Sequence, residues 1–253
     1  MTPPRVVLVR PRSPGNVGSA ARALKNFGLR ELVLVDPRLH RGGDRPGVES
    51  YFESESRRMA WHASDVLDAS RTVADLKQAV AGCSAVFATA PQPAARMRSL
   101  SPEEAADALV AAPDAAPGAL VFGSESSGLT RDELASCAGV VVIPTDPAYR
   151  DLNLAQSVAV MAFLCFRGGR EAAGPDARRA ASDPARHDFV EGTADALFEV
   201  AARAGFLKHG GAPVARELRH LLHRAGLSRR EAELFRSLWT RLLARLPEQE
   251  GGT

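Results

Sequence analysis

The sequence predicts an α/β fold built on a parallel sheet and followed by a small all-helical C-terminal extension. Short, near-continuous apolar runs such as VVLVR (6–10) and GVVVIP (139–144) are typical of strands buried on both faces of a parallel sheet. Helical patterns separate these runs. Beyond residue 187, three further segments carry apolar residues at helical spacing, which predicts the helical extension.

The N-terminal elements form a β-α-β unit. A strand is predicted over 6–10, and a helix follows that is capped by Asn16 and ends at Gly28, a residue suited to the C′ position. A second strand, LVLVD (32–36), comes directly after it, and the crossover should be right-handed. Small side chains on the helix, such as Gly18, would let it approach the sheet or a ligand closely.

The next elements are a charged surface helix over 49–60, a helix over 72–81 and a strand over 85–90. Ser101 is predicted to cap a helix that runs to residue 111. In the stretch 121–166, two buried strands flank a helix with the capping box Thr130 to Glu133, and an apolar helix follows. Ligands of parallel α/β sheets bind beyond the carboxyl ends of the strands, so the loops GSESSG and PTDPAYRDLN are the first candidates for a site.

Residues 168–187 have the composition of a linker, and three helices are predicted at 188–204, 214–225 and 228–246. Their leucines recur at helical spacing, which predicts that they lie in a core: Leu218, Leu221, Leu222, Leu234, Leu238 and Leu242. The domains are therefore expected at 1–167 and 188–253.

Composition indicates an ordinary soluble globular protein, since 45% of the 253 residues are hydrophobic and 25% are charged. The scattered cysteines favour a reduced protein of the cytoplasm. The three cysteines are far apart, which suggests neither a disulfide framework nor a zinc site. The longest apolar run, 154–166, is too short to span a bilayer. We therefore expect no metal and no membrane association.

The net charge of +2 is unevenly distributed along the chain. Residues 1–30 contain six basic residues and no acid, and residues 208–245 contain nine basic residues against three glutamates. Two basic regions suggest a polyanionic partner such as nucleic acid. The alternative, that the C-terminal charges are only the solvated faces of helices, is equally consistent with the charge pattern.

Several familiar chemistries are excluded by the motifs. The sequence has no GxGxxG turn and no GxxxxGK[ST] loop, which argues against a dinucleotide fold and a P-loop. GSESSG does not match the GxSxG pattern of a hydrolase nucleophile, because Glu125 occupies the middle position.

Three segments, in order, resemble the motifs of the SpoU/TrmH family of RNA ribose 2′-O-methyltransferases, within the SPOUT superfamily. They are PGNVGSAARALKNFGLRELVLVDP, VFGSESSGLTRDEL and VVVIPTDPAYRDLNLAQSVAV. The resemblance covers residues 5–167 and implies a parallel-sheet SPOUT fold with a C-terminal trefoil knot, a rare exception among proteins. It also implies S-adenosyl-L-methionine as cofactor, RNA as substrate and a homodimer with its sites near the subunit interface. A sulfonium methyl donor needs neither a metal nor a covalent nucleophile, which agrees with the motifs that are missing.

The last motif and the helical extension are most similar to the TrmJ branch of the family. That similarity implies a tRNA substrate and an anticodon-loop ribose, at cytidine or uridine 32. The alternatives are another tRNA or rRNA position, or an RNA-binding homologue that has lost the chemistry. The extension, 188–253, is expected to bind RNA or form the dimer, so deleting the residues after Arg167 should impair RNA binding more than cofactor binding.

The resemblance also assigns residue roles. Arg22 corresponds to the arginine of the first motif and is expected to orient the ribose and stabilise the developing alkoxide, since a guanidinium is nearly always protonated. Asn16 is expected to hold Arg22 or a substrate phosphate, Glu125 to be a buried carboxylate that fixes the loops, and Asn153 to have either a structural or a catalytic role. The cofactor-binding residues implied are Thr89, Ala90, Gly123, Ile143, Leu152 and Asn153, and the RNA-binding residues are Arg12, Arg22, Lys25, Arg96 and Arg98.

The sequence departs from the family pattern at two places. Asp151 stands where a serine is common, preceded by Arg150, and it could pair with Arg150 or Arg22 or contact the amino group of the cofactor. The loop TAPQPAARMR (89–98) is longer and richer in proline than the usual form, so the RNA contacts implied for Arg96 and Arg98 rest on an approximate correspondence.

Overall fold

The computed structural model describes residues 2–38, 51–94, 97–172, 184–207 and 211–246. The strands are β1 (Arg5–Val9), β2 (Leu32–Val35), β3 (Arg71–Val73), β4 (Val86–Thr89), β5 (Ser99–Leu100), β6 (Ala119–Phe122) and β7 (Gly139–Val141). The helices are α1 (Pro14–Asn26), α2 (Tyr51–Ala60), α3 (Ser64–Asp68), α4 (Leu76–Val80), α5 (Pro102–Val110), α6 (Arg131–Ala135), α7 (Leu154–Ala172), α8 (His187–Arg203), α9 (Ala212–Arg224) and α10 (Arg229–Leu243).

The seven strands form one parallel sheet in the order β3-β2-β1-β6-β4-β7-β5. Alternate residues of β1 serve opposite faces: Val6 and Leu8 pack in one hydrophobic cluster, and Val7 and Val9 in the other. Both faces are covered, which explains why the strands read as continuous apolar runs. The predicted α/β fold with a parallel sheet is confirmed. Strand order and register do not define how the loops thread, so the knot stays a prediction.

Helix α1 begins earlier than predicted. Its N-cap is Ser13, whose hydroxyl accepts a hydrogen bond from the amide of Asn16 at 3.2 Å, and Pro14 occupies the first helical position. The prediction of Asn16 as N-cap was therefore wrong. This leaves the Asn16 side chain inside the first turn and available for contacts with other segments.

The C-terminal end and the packing of α1 follow the prediction. Gly28 has a φ of +75°, the left-handed conformation expected after a helix. A Cβ atom at Gly18 would lie 2.1 Å from the carbonyl oxygen of Ser56, so α2 packs directly on the backbone of α1. The close approach expected from the small residues of α1 is thus made to a neighbouring helix.

The helix predicted over 72–81 was wrong in its first part. Residues Arg71–Val73 extend the sheet as β3, and Asp75 caps the short helix α4 by accepting from the amide of Gln78 at 2.8 Å. The short strand β5 was also missed. The capping boxes at Ser101, Thr130 and Ser228 are present.

The C-terminal extension consists of α8, α9 and α10, as predicted. The segment predicted as a linker is partly helical, because α7 continues to Ala172 and α8 begins at His187. The extension packs against the α/β domain: the amide of His187 donates to the carbonyl oxygen of Cys83 at 2.5 Å, and Lys77 Nζ lies 3.3 Å from Asp195 Oδ2.

The expectation that the leucines of the extension form a core was largely wrong. Leu222 is buried, but Leu221 is 50% exposed and Leu234 is 62% exposed, and Leu238 and Leu242 are also exposed. The small core of the extension instead contains Val190, Ala194 and Ala232. Among the described helices, none combines the length and the hydrophobicity needed to cross a membrane.

Candidate functional site

A cleft of about 1010 Å³ lies at the carboxyl ends of β4, β6 and β7. Its walls come from the segment after β4 (89–94 and Met97), the loop after β6 (123–129) and the loop before α7 (150–152). These are the loops that the sequence marked as candidates, because parallel strands bring their carboxyl ends to one edge of the sheet. The volume is at the upper end of the range found for small-molecule sites.

Five of the six residues predicted to bind the cofactor line this cleft: Thr89, Ala90, Gly123, Ile143 and Leu152. The hydroxyl of Thr89 donates to the carbonyl oxygen of Val121 at 3.3 Å, which ties the end of β4 to β6. Asn153, the sixth, is not among the lining residues. It caps the start of α7, since its Oδ1 accepts from the amide of Ala155 at 2.8 Å.

The loop after β6 is folded tightly at Gly123. A Cβ atom on this residue would lie 2.3 Å from the carbonyl carbon of Gly128 and 2.5 Å from the amide nitrogen of Leu129. Ser124 and Gly128 form a β-bridge that closes the loop. No residue larger than glycine fits at 123 unless this cleft wall moves.

Glu125, Asn16 and Asn153 form a hydrogen-bonded chain at the rim, which we call the rim network. The Glu125 carboxylate accepts from Asn16 Nδ2 at 2.8 Å, and Asn16 Oδ1 accepts from Asn153 Nδ2 at 2.9 Å. Because a carboxylate can only accept, Asn16 must present its amide nitrogen to Glu125, and the orientation of Asn153 follows. The network joins the three segments that carry the predicted motifs.

Glu125 also holds the start of α1. Its two oxygens accept from the backbone amides of Arg12 and Ser13 at 3.0 and 3.2 Å. A carboxylate at this end of a helix is favoured by the helix dipole. The expectation that Glu125 is buried was wrong, since the residue is exposed, but it fixes the loops as expected.

A second link supports the same wall from outside the cleft. Arg10 binds both carboxylate oxygens of Glu133, one of them at 2.8 Å, and Glu133 also completes the cap of α6. Burial alone would raise the pKa of Glu133, but hydrogen bonds from Arg10 and Thr130 hold it below its ordinary value. The carboxylate is therefore kept charged, and α6 is held against β1.

Arg22 lies on α1 away from the cleft. It is exposed, it does not line the cleft, and within the described ranges it makes no hydrogen bond or ion pair. Asn16 and Arg22 are six residues apart, which places them about 120° apart around the helix axis. Asn16 bonds Glu125 and Asn153 instead, so the expected contact between Asn16 and Arg22 was wrong.

The residues predicted to bind RNA fall into different environments. Arg12 is exposed and donates to Ser126 Oγ at 3.0 Å, next to the cleft loop. Lys25 is engaged in packing, with Nζ 2.8 Å from both Asp65 Oδ1 and the carbonyl oxygen of His62. Arg98 is exposed beside the cleft, and Arg96 lies outside the described residues.

Asp151 and Arg150 both line the cleft and are exposed. In the described part of the chain Asp151 pairs with neither Arg150 nor Arg22, so two of the three roles considered for it are not realised here. It lines the cleft as an exposed residue, so the third role, a contact with the cofactor, stays a prediction.

One wall of the cleft was not anticipated from the sequence. Residues of α9, in the C-terminal extension, also line it: Pro213, Arg216, Glu217 and His220. The sequence shows only that these four residues share one face of a helix. It does not show that this face docks on the cleft.

A separate buried cluster in the extension contains His187, Glu191 and His223, whose potential ligand atoms lie within 4.8 Å of one another. His223 Nε2 is 2.6 Å from Glu191 Oε1, and Arg219 Nε is 3.6 Å from the other carboxylate oxygen. The two imidazole rings stack 4.5 Å apart with 23° between their planes. Near-parallel rings do not direct their lone pairs at one point, and the carboxylate is already shared by two partners. The cluster is therefore best explained as packing.

The cleft suits a nucleoside-containing methyl donor. Ile143 and Leu152 offer apolar surface for a base, while loop backbone and the side chains of Thr89 and Asp151 offer polar groups for a ribose and an amino-acid end. We infer this fit from the composition of the walls.

Comparison with known proteins gives consistent matches. Residues 3–163 match the model of the SpoU rRNA Methylase family. A tRNA (cytidine/uridine-2′-O-)-methyltransferase TrmJ from Klebsiella pneumoniae is 35% identical over 258 aligned positions, which cover 98% of each chain. A tRNA (cytidine/uridine/adenosine-2′-O-)-methyltransferase TrmJ from Pseudomonas aeruginosa is 42% identical over 165 residues, 63% of this chain and 58% of that protein. The crystal structure of TrmJ from Z. mobilis superposes with a TM-score of 0.78 at 28% identity, covering 94% of this chain and 98% of that one.

Proposed function

We propose that this chain, which belongs to the SpoU rRNA methylase family, is a tRNA ribose 2′-O-methyltransferase that modifies cytidine or uridine 32 of the anticodon loop. It is a methyltransferase that uses S-adenosyl-L-methionine, the methyl donor of its family. The tRNA substrate is supported by the full-length similarity to the Klebsiella enzyme. The observation that carries the proposal is the rim network, which holds the three motif segments together beside one cleft.

When bound, S-adenosyl-L-methionine supplies an electrophilic methyl group on a sulfonium. The chain's task is to hold the donor, align the ribose 2′-hydroxyl behind that methyl group and accommodate the proton that the hydroxyl releases. We assign the holding of the donor to the cleft walls at Thr89, Ala90, Gly123, Ile143 and Leu152. Transfer would form the bond between the ribose oxygen and the methyl carbon as the S–C bond of the donor breaks, and the hydroxyl proton would pass to water.

Arg22 is proposed to bind a phosphate next to the target ribose and to stabilise the oxygen as it loses its proton. A guanidinium remains protonated in proteins, so the role is electrostatic and positional rather than that of a base. Arg22 is exposed and makes no hydrogen bond or ion pair among the described residues, so its N–H groups are open to a substrate phosphate.

Because Arg22 lies outside the cleft of its own chain, we propose that it serves the cleft of a second copy in a homodimer. An exposed apolar surface lies on α7 and at the C-terminal end of α1, the helix that carries Arg22: Phe163 is 46% exposed and packs edge-on to Phe27 with ring centroids 5.7 Å apart. Val160 and Phe166 extend this surface and are also exposed. Such a patch is suited to an isologous interface.

The function is tested by incubating the full chain with labelled S-adenosyl-L-methionine and either tRNA or rRNA, then mapping the methylated ribose by mass spectrometry. We expect transfer to the ribose at position 32 of tRNA. Transfer to rRNA or to another tRNA position would contradict the proposed target. Donor binding without transfer to any RNA would indicate an RNA-binding homologue that has lost the chemistry.

Arg22→Ala tests the assignment of this arginine. The loss of one transition-state contact of this type lowers kcat by about 100-fold or more, while donor affinity should be unchanged because Arg22 lies outside the cleft. Unchanged turnover would remove Arg22 from the reaction.

Mixed dimers test whether Arg22 acts across an interface. We expect that co-refolding inactive Arg22→Ala protein with a second inactive variant, Gly123→Val, restores part of the activity, since one of the two mixed sites is then intact. No recovery from dimers shown to be mixed would place Arg22 in the cleft of its own chain.

A further inference from the structure

One face of α9 forms a wall of the cleft. The lining residues Pro213, Arg216, Glu217 and His220 are separated by three, one and three positions, the spacing of a single helix face. This face belongs to the extension, and Pro213 lies 61 positions after Leu152, a residue of the last loop of the cleft.

His220 links two backbone segments that support the cleft. Its Nδ1 lies 3.0 Å from the carbonyl oxygen of Cys137, and its Nε2 lies 3.2 Å from the amide nitrogen of Arg98. A carbonyl oxygen only accepts and an amide N–H only donates, so the ring must carry its proton on Nδ1 and accept at Nε2. His220 is only 5% exposed, and burial lowers its pKa, which favours this neutral form.

The two bonded segments lie directly next to the cofactor loops. Cys137 precedes β7, and Arg98 precedes β5 and follows the lining residue Met97. Strands β5 and β7 pair at Ser99 and Val140. His220 therefore bridges the two backbone segments that lead into these neighbouring strands. A shift of the ring would therefore move the segment after β4, which forms one side of the cleft.

A second contact fixes α9 in the same place. Arg216 Nε lies 2.6 Å from Asp132 Oδ1 on α6, and α6 also contributes Leu134 and Ala135 to the cleft. The extension is thus held to both sides of the cleft opening.

We propose that α9 is a structural wall of the cofactor cleft and that His220 is a positioning residue, which sets the segment after β4 and thereby the affinity for the methyl donor. The inference rests on the proposed function, because it takes this cleft as the donor site. It replaces the expectation that the extension affects RNA binding more than donor binding.

The test uses the full chain without RNA and measures the binding of S-adenosyl-L-homocysteine by calorimetry. His220→Leu removes both ring contacts and leaves the Arg98 amide and the Cys137 carbonyl unpaired, which should weaken binding roughly tenfold. His220→Asn can keep the donor to Cys137, and His220→Gln can keep the acceptor for Arg98, so each should recover part of the affinity. In turnover, the KM for the donor should rise while the KM for tRNA stays the same.

His62→Leu is the matched control, because it makes the same change at an exposed position that does not line the cleft. If wild-type protein fails to bind S-adenosyl-L-homocysteine, the proposed function fails. If wild-type protein binds it and the His220 variants bind equally well, the inference about α9 fails. If His220→Leu lowers the unfolding temperature, the comparison with His220→Asn and His220→Gln decides, because each of these keeps one of the two contacts. The positioning role is overturned if these two variants bind S-adenosyl-L-homocysteine no more tightly than His220→Leu.

Discussion

The α/β domain and the helical extension distribute their polar and apolar side chains differently. Of the seven polar or charged residues buried in the described part of the chain, five belong to the extension: His187, Glu191, Thr193, His220 and His223. The leucines of α10 are meanwhile exposed, and the indole N–H of Trp239 is buried without a hydrogen-bond partner among the described residues. In the α/β domain the described buried polar residues are only Ser56 and Ser124, and the rim network lies at the carboxyl edge of the sheet.

The two regions should therefore differ in how their stability depends on pH. Apolar burial in the sheet does not depend on protonation, so the core beneath the rim network and the cleft is insensitive to acid, whereas the Arg10–Glu133 link to the cleft wall needs a charged carboxylate. The extension depends on the buried pair Glu191–His223 and on the buried imidazoles of His187 and His220, which must stay neutral. The wall that α9 adds to the cleft therefore belongs to the region whose stability depends more strongly on pH.

Acidification should expose this contrast most strongly. Burial, and then the neighbouring His223, lower the pKa of His187 from 6.5 to about 3. Below pH 6.5 the unfolded chain binds a proton that the folded chain does not, so the free energy of unfolding falls as pH falls. The loss is roughly 1.4 kcal/mol for each pH unit between 6.5 and 3. Glu191 acts in the same direction: burial, the largest single influence, raises its pKa, but the hydrogen bond from His223 and the charges of His223 and Arg219 together lower it.

The two tryptophans report on the two regions separately, since Trp61 lies beside α2 and Trp239 lies in α10. We expect urea unfolding followed by Trp239, in Trp61→Phe protein, to shift to lower urea between pH 7 and 4. Unfolding followed by Trp61, in Trp239→Phe protein, should shift less. His187→Leu should flatten the pH dependence at Trp239; an unchanged dependence in that variant would mean that another group is responsible.

A pair of glycine substitutions compares the regions at the level of backbone packing. Gly123→Ala forces a Cβ atom to 2.3 Å from the backbone of Gly128, so the cleft wall must move, and a displacement of about 1 Å near the chemistry can lower kcat/KM by 100-fold. Gly192→Ala, on α8, places its Cβ in open space and should stabilise the helix by about 0.5–1 kcal/mol. Methylation assays and thermal unfolding of both variants distinguish the two effects. Full activity in Gly123→Ala would show that the loop does not shape the site.

The sequence predicted those parts of the fold whose signals are local. Buried strands, the N-cap at Ser101 and the capping box at Thr130 depend on residues within a few positions of each other, and they were found where expected. Strands β3 and β5 are only three and two residues long, too short to show a period, and they form because a neighbouring strand pairs with them. The start of α1 was misplaced because Ser13 and Pro14 appeared to belong to a loop.

The candidate site was predicted to the extent that it lies in the motifs. Five of the six residues that the resemblance implies for cofactor binding line the cleft, but the α9 wall was not predicted, since it depends on how the extension docks. For the same reason helical spacing identified one face of α10 without showing whether that face is covered. Spacing reveals that a helix has an apolar face, and only tertiary structure shows where that face points.

The rim network gives the smallest expected effect in this comparison of the two regions. Its charged residue, Glu125, lies exposed at the edge of an apolar domain rather than inside a core. Glu125→Gln keeps the shape of the side chain and one acceptor, but it removes the charge that receives the amides of Arg12 and Ser13 and the side chain of Asn16. Hydrogen bonds to a charged acceptor are about twice as strong as neutral ones, and this one is exposed, so we expect kcat/KM to fall by roughly tenfold with little change in unfolding temperature.

Glu103→Gln is the matched control, since Glu103 lies exposed in the first turn of α5 and does not line the cleft. The two substitutions remove the same charge from the start of a helix, so their difference isolates the link between α1 and the cleft loops. If Glu125→Gln behaves like Glu103→Gln in the methylation assay, the network stabilises the start of α1 only. A loss of activity confined to Glu125→Gln would mean that the start of α1 is held in place for the reaction. The apolar sheet would then fix the position of the cleft, and a few exposed polar contacts would fix the alignment of the motifs around it.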